Sequence, residues 1–447
     1  MVAYEMKSNA SVTSRGGGQV DSDNAHLQRM GKKPVLKRNF GILSILGFSC
    51  TILGTWEGLL GTFTGPLTNG GSGGAIYAYI FGWVGCLANF MVLSELASMA
   101  PTAGGQYHWA AMLAPAGIQN FLSFITGWFA VLGWQSAFAA CAFLTGKMIQ
   151  GAAILGNNLY NALPWQGTLI VWALLGLALV VNLLGGNLLP RIEVVILVAH
   201  VLGFFGIIIP LAYLADHNTK EEVFLSFQNG GGFATQGLSW FVGMTSCAFA
   251  FAGGDAAVHM SEEVANASTV IPNALMISVG LNGCLGFGMI LVMMFCADSD
   301  LGVTIAALLA LINVGSSAAM EDVVSMAVSG IYLSYLVVSV LLFYRRIRGD
   351  ISRYDDNEDN IVNVPGAKLV WGPFHCPGII GTLINGYAII YIAIVIFFSF
   401  WPSTMDPTVE TMNWSILAIG GSVFLAIIYY VVRARHIYKG PIVEVSM

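Results

Sequence analysis

The sequence predicts an all-α integral membrane protein, and three observations carry that prediction. Of the 447 residues, 56% are hydrophobic and only 9% are charged, against about 25% charged in soluble domains. Between Phe40 and Leu189 the only Asp, Glu, Lys or Arg residues are Glu57, Glu95 and Lys147. That stretch holds four runs of the ~20 apolar residues needed to cross a bilayer core. The third observation is an interruption. The apolar run from Trp240 to Pro272 breaks at Ala252-Gly253-Gly254-Asp255, and a similar break stands far upstream at Gly54-Thr55-Trp56-Glu57-Gly58. Each glycine destabilises a helix interior by about 1 kcal/mol, and an ionisable group within a span costs more. Open backbone at membrane depth survives only where protein or a water-filled cavity receives its N–H and C=O groups. Paired interruptions of this kind point to a transporter's binding site.

The elements follow in order. Residues 1–40 form a polar, glycine-rich tail, expected to be disordered. Its Arg29, Lys32, Lys33, Lys37 and Arg38 place it in the cytoplasm by the positive-inside rule. Spans are expected at about 42–66, 75–99, 119–147, 167–189, 191–215, 237–260 and 274–297. Joins rich in Gly, Pro and Asn separate them, including Pro66 to Gly74, Pro101 to Pro115 and Gly151 to Pro164. The next stretch has a half-length apolar piece, Leu301 to Ile312, a polar interlude from Asn313 to Asp322, and a full span, Val323 to Tyr344. If both pieces crossed, the cluster Arg345, Arg346 and Arg348 would end outside, against the charge rule. Only the second is therefore expected to cross. A cytoplasmic linker over 345–378 carries a solvated acidic run (Asp355, Asp356, Glu358, Asp359), spans 379–400 and 414–433 follow, and residues 434–447 form a second cytoplasmic tail. The total is ten full spans plus one half-length segment.

Composition also bounds the function. A net charge of −6 on a bilayer-embedded body gives no reason to expect a nucleic-acid partner. Six of the seven cysteines fall in or beside spans without a CxxC pair, so they read as small apolar fillers. Gly70 to Gly74 lacks a following Lys-Ser/Thr and is no phosphate loop. No His, Cys or Asp cluster has metal-ligand spacing. Neither a catalytic residue, a metal nor a cofactor is expected, and the chain does not read as an enzyme.

Two motifs carry a resemblance. One is Glu95-Leu96-Ala97-Ser98-Met99-Ala100-Pro101-Thr102-Ala103-Gly104-Gly105-Gln106-Tyr107-His108-Trp109. The other is Phe251-Ala252-Gly253-Gly254-Asp255 followed by Ser261-Glu262-Glu263-Val264-Ala265-Asn266-Ala267-Ser268-Thr269-Val270-Ile271-Pro272. Both resemble permeases of the amino acid–polyamine–organocation superfamily. Leu53-Gly54-Thr55-Trp56-Glu57 and Leu311-Ile312-Asn313-Val314-Gly315-Ser316-Ser317 look most like the fungal choline and GABA permease branch. The resemblance implies two inverted five-helix repeats (41–215, and 237–344 incomplete) with the first helix of each unwound at mid-membrane. It implies substrate contacts at Thr55, Trp56, Glu57 and Gly58 and at Ala252, Gly253, Gly254 and Asp255.

Glu57 is the sharper candidate, as a carboxylate suited to a cationic amine or a transported proton. Asp255 has an alternative as the N-cap of the second half-helix. Trp134 and Gln135 are candidate pocket walls, since aromatic faces attract ammonium groups, and Phe249 and Phe251 are candidate gates. The expected partners are a small amine or amino acid, a proton as coupling ion, and the lipid bilayer, with the plasma membrane as location. One departure qualifies this. The family pattern has twelve spans, whereas this chain passes from Asp298-Ser299-Asp300 almost directly into what resembles the later half of the ninth. The absent eighth helix would wall the site, so a non-transporting sensor or an inactive truncated permease stands as the alternative.

Overall fold

The computed structural model describes residues 27–32, 36, 38–157, 160–185, 188–296, 317–354 and 361–441. The expectations for Asp298 to Ile312, for residues 313–316 of the interlude after it, and for the acidic run lie outside the described residues, while the rest of the interlude, expected to precede the span, is helical. Among the described residues, nine helices are long and apolar enough to cross a membrane. A tenth, discontinuous segment lies between them. The described residues are all-α apart from one two-stranded parallel pairing and two isolated parallel bridges.

The first crossing is two pieces, α1 (Ile42–Leu53) and α2 (Thr55–Thr62), joined through Gly54 in the left-handed conformation at φ 46. α3 (Thr64–Met99) runs through what the sequence reads as a loop at Pro66 to Gly74. That stretch is helical, with a kink at Gly71 (φ 72), because its glycines let residues 226–228 pack directly on the backbone. α4 (Gly105–Leu113) then leads into α5 (Gln119–Gly156), longer than expected. α6 (Pro164–Leu184) and α7 (Leu189–Leu214) follow, then a short α8 (Lys220–Leu225) capped by Thr219.

The interrupted crossing comprises α9 (Gln236–Gly243), α10 (Thr245–Ala250) and α11 (Ala256–His259). α12 (Ala267–Cys296) begins well before the expected 274 and carries Pro272 inside it; the Ser268 carbonyl, which the missing N–H of Pro272 would have bonded, takes the Ser98 hydroxyl instead. α13 (Ser317–Arg348), α14 (Gly378–Ser399) and α15 (Ser415–Tyr429) complete the bundle. Between α13 and α14, β1 (Ile351–Ser352) pairs with β2 (Leu369–Val370).

Two faces of the bundle are knitted by backbone. On one, Phe40 bonds Glu263 and Ala265, and the Asn363 amide reaches the Met99 carbonyl. Arg346 joins this face across α3 and α13. Its guanidinium lies over the Trp371 ring and pairs with Glu95 at 2.5 Å, while the second Glu95 oxygen takes the Cys376 N–H. On the opposite face Gly73 bonds Ser226, Asn218 bonds Phe295 and Met405 bonds Gly231.

The hydrophobic pattern is inverted at the periphery. None of the most apolar stretch of α6 is buried, and Trp172, Leu177, Leu183 and Leu184 stand fully outward. Such a surface has bilayer hydrocarbon as its solvent. Inside, the closest crossing is α5 on α13, where a Cβ on Gly133 would stand 2.4 Å from the Ile331 nitrogen. Lys147 does not reach out to the lipid surface as a snorkelling lysine would. It is buried, with its ammonium 5.1 Å above the Phe143 ring.

Two predictions follow from this packing. Gly133→Ala gains about 1 kcal/mol of helix propensity, but the clash with Ile331 costs ~1–3 kcal/mol. The variant therefore melts at a lower temperature in detergent. His108, on α4 outside the spans, is pushed down to about 4, first by burial and then by Lys32. Below pH 6.5 the unfolded chain gains a proton on this residue that the folded chain refuses. Stability is then lost as pH falls toward 4, by about 3 kcal/mol at most. A pH series of melting curves for the protein and for His108→Gln checks it, the variant showing the shallower slope.

Candidate binding site between the broken helices

The two interruptions face each other. A Cβ on Gly58 would stand 3.7 Å from the Ala250 Cα, and α11 lies against α1, with Leu53 and Ile52 touching Gly254 and Gly253. Each glycine of the second break has its own reason. Gly253 adopts φ 97, and a Cβ on Gly254 would strike the Phe90 ring at 2.4 Å.

The open backbone is satisfied by side chains from neighbouring helices. Asn282 of α12 donates to the Cys50 carbonyl at 3.2 Å, and its carboxamide oxygen lies 3.5 Å from the Thr55 N–H. At the second break the Tyr332 hydroxyl donates to the Ala248 carbonyl, and the Cys86 thiol to that of Phe251. Of these, the Thr55 N–H and the Phe251 carbonyl are groups that an unbroken helix would have paired with itself, whereas the Cys50 and Ala248 carbonyls also accept the Gly54 and Phe251 N–H groups.

A cavity of about 390 Å³ opens between the breaks. Thr51 to Gly54, Glu57, Gly58 and Gly61 form one wall, Phe249, Ala250, Ala252 and Gly253 a second, and α5 from Trp134 to Met148 the third. Its volume lies in the range of small-ligand pockets. Among the described lining residues Glu57 is the only carboxylate. Four of the lining residues, Phe138, Cys141, Thr145 and Met148, are exposed, so the cavity opens on that flank. A smaller cavity of about 120 Å³ meets it at Gly61 on the Trp401 side and has Glu321 as its only ionisable residue.

The sequence candidates distribute unevenly. Glu57, Gly58, Ala252, Gly253, Trp134 and Phe249 line the cavity. Thr55 and Trp56 are buried behind it, with Trp56 turned toward His200 and Phe204 at ring distances of 5.8 and 6.2 Å. Gln135 is exposed on another side of α5, and Phe251 is buried against Tyr79. Gly254 touches Phe90 rather than the cavity. Asp255 precedes α11, yet its carboxylate takes no N–H of that helix, unlike an N-cap. It lies beneath Trp134 and accepts from Gln106 at 2.6 Å, Tyr335 at 2.5 Å and the Trp134 indole at 3.4 Å.

His259 Nε2 stands 3.5 Å from Asp255 Oδ2, while its Nδ1 donates to the Ala103 carbonyl. Glu262 takes the Ala103 N–H, and Lys32 lies 4.0 Å from Glu262. Asp255, His259 and Glu262 thereby hold the 101–106 connection onto the second broken helix.

Sequence reading missed His200 of α7. Its Nδ1 stands 2.5 Å from Glu57 Oε1, and both the His200 Nε2 and the Glu57 Oε2 are buried without a partner. The rule that singled out Glu57, an ionisable residue inside an apolar span, applies equally to it.

These features define a class: a helical membrane protein whose two discontinuous crossings meet at a central cavity. An amino acid permease family model matches residues 40–301, more than half of the chain. The chain belongs to that family, a family of transporters rather than enzymes. An uncharacterized amino-acid permease of Schizosaccharomyces pombe is 24% identical over 496 aligned positions, covering 96% of this chain and 91% of the relative. The amino-acid permease BAT1 of Arabidopsis thaliana is 22% identical over 528 positions, covering 95% and 97%. A Macrophomina phaseolina protein named for amino acid/polyamine transport is 32% identical over 257 residues. That match spans 56% of each chain, little more than half of the relative's length.

Removing the support at the first break tests its importance. Asn282→Leu strands the Thr55 N–H and takes from the Cys50 carbonyl its second donor, leaving only the Gly54 N–H, at a cost of ~1–3 kcal/mol. The expected result is a lower melting temperature together with weakened solute binding. The isosteric Asn282→Asp lacks the amide donor and shows an intermediate loss.

Proposed function

We propose that this protein is a secondary transporter of a small amine-bearing solute, an amino acid, GABA, choline or a polyamine, coupled to protons. The observation that carries the proposal is the cavity between the breaks, with Glu57 as its one carboxylate. A carboxylate with a buried, unpartnered oxygen is a receptor for an ammonium group, because a charge-assisted bond satisfies both partners. Trp134 offers an aromatic face beside it. The breaks themselves supply free backbone groups for a solute carboxylate, and alternating access would follow from rocking one set of helices against the other. In this reading both chain ends lie in the cytoplasm and the bilayer is the plasma membrane, on the strength of the basic residues before the first span and in Arg345, Arg346 and Arg348.

A second reading is favoured by specific observations. The family match ends at residue 301, where the sequence reading places a missing helix. The S. pombe relative aligns over 496 positions while this chain has 447 residues, so the relative holds segments that this chain lacks. The cavity is open on the flank of Phe138 and Cys141. A binding protein without flux, or an inactive truncated permease, would share these features.

One experiment separates the readings. The full chain reconstituted in proteoliposomes is assayed for uptake of labelled γ-aminobutyrate, alanine, spermidine and choline, and for their binding in detergent. Uptake supports transport. Binding without uptake supports the binding protein, and the absence of both supports the inactive truncated permease. Glu57→Gln lowers uptake, or affinity, by roughly 10- to 100-fold at unchanged melting temperature. Wild-type activity in that variant would remove Glu57 from the site.

A further inference from the structure

We infer that Glu57 and His200 together form the binding site of the coupling proton, and that this pair brings the cavity to neutrality only when a zwitterionic solute and one proton are bound together. The inference rests on the transport reading above and deepens it.

The geometry fixes the hydrogen bond. An ionised carboxylate only accepts, so at 2.5 Å from Glu57 Oε1 the His200 Nδ1 carries the hydrogen. Its Nε2 then presents a lone pair, buried and unmatched, and Glu57 Oε2 is buried and unmatched as well. Oε2 is on the Gly54 side, 3.9 Å from where a Cβ of that glycine would sit. The pair therefore has capacity for one proton and one further donor. The proton enters through Glu57, the member that lines the cavity, and only O–H or N–H bonds are made and broken. Whether it rests on the carboxylate or the imidazole, the net charge of the pair is the same.

Other ionisable groups near this part of α7 are few. α2 brings only Glu57, and α1 only Cys50. α12 brings Cys284 and Cys296, the latter bonded to the Leu211 carbonyl. α7 itself brings Arg191, Glu193, whose carboxylate is held by the Thr51 hydroxyl, and Tyr213. Across the cavity Asp255 is withdrawn beneath Trp134 and saturated by its own donors.

Charge accounting then separates solutes. The unprotonated pair carries −1, and a zwitterion adds nothing, so that complex leaves one uncompensated charge in a low-dielectric site. Such a charge is costly. One proton removes it. A monovalent cation such as choline neutralises Glu57 directly, and adding a proton there would create a surplus of +1. Amino acids thus draw a proton with them and simple cations do not.

Two measurements test this. Trp56 lies 5.8 Å from the His200 ring, and a protonated imidazole quenches indole emission. In the purified protein, the part of the tryptophan signal that Trp56→Phe removes is expected to fall in one step on acidification, as the pair takes up its proton. His200→Gln abolishes that step, and Glu57→Gln alters it. An unchanged step in both variants would overturn the assignment.

In proteoliposomes an inward pH gradient raises accumulation of labelled γ-aminobutyrate or alanine several-fold and leaves choline unaffected. His200→Gln is expected to lose that stimulation. Equal stimulation in His200→Gln defeats the inference while transport stands. Absence of any flux in the unaltered protein defeats transport, and the fluorescence step then decides the proton site alone.

Discussion

The constraint behind this structure is that backbone left open inside a bilayer must find partners in protein. Both breaks meet it by borrowing from helices distant in sequence. Asn282 supplies one donor and one acceptor to the two sides of Gly54, and Tyr332 with Cys86 serves carbonyls at the second break. Because the borrowed groups sit on α12, α13 and α3, each break is fixed only once the surrounding bundle is assembled. The cavity is thus a product of tertiary packing, not of the two interrupted segments alone.

Much of this was legible in the sequence, and the reasons are physical. Low charge density and runs of spanning length identify a membrane bundle, and glycine pairs within such runs mark where helices stop. The loops were harder to read. Pro66 to Gly74 looks like a turn by composition but is kinked helix, because its glycines serve close packing on residues 226–228 rather than a change of direction. The site was half legible for the same kind of reason. Motif position brought Glu57, Ala252 and Gly253 to the cavity, yet it cannot tell which way a side chain turns. Trp56 and Asp255 sit on the right segments and point elsewhere, while Gln135 differs from Trp134 by one residue, about 100° around α5. His200 and Asn282 gave a signal, each a polar side chain deep in an apolar run, but their partners are set by helix pairing that no local pattern encodes.

The two carboxylates of the interruptions have opposite surroundings. Asp255 receives three neutral donors and has His259 at its edge, a complete set of partners in a dry setting. Glu57 has one close partner and one bare oxygen. A saturated carboxylate acts as a structural fastening, whereas an unsaturated one at a cavity wall retains binding capacity. This asymmetry, rather than the presence of charge, separates the roles of the two acids.

The residue Ala103 ties that fastening to mechanics. With its carbonyl held by His259 and its N–H by Glu262, the connection from Pro101 to Gln106 cannot shift independently of the half-helix above it. Loop and half-helix are thereby joined through both backbone groups of one residue, and the positive φ of Gly105 brings the loop backbone close against the His259 ring.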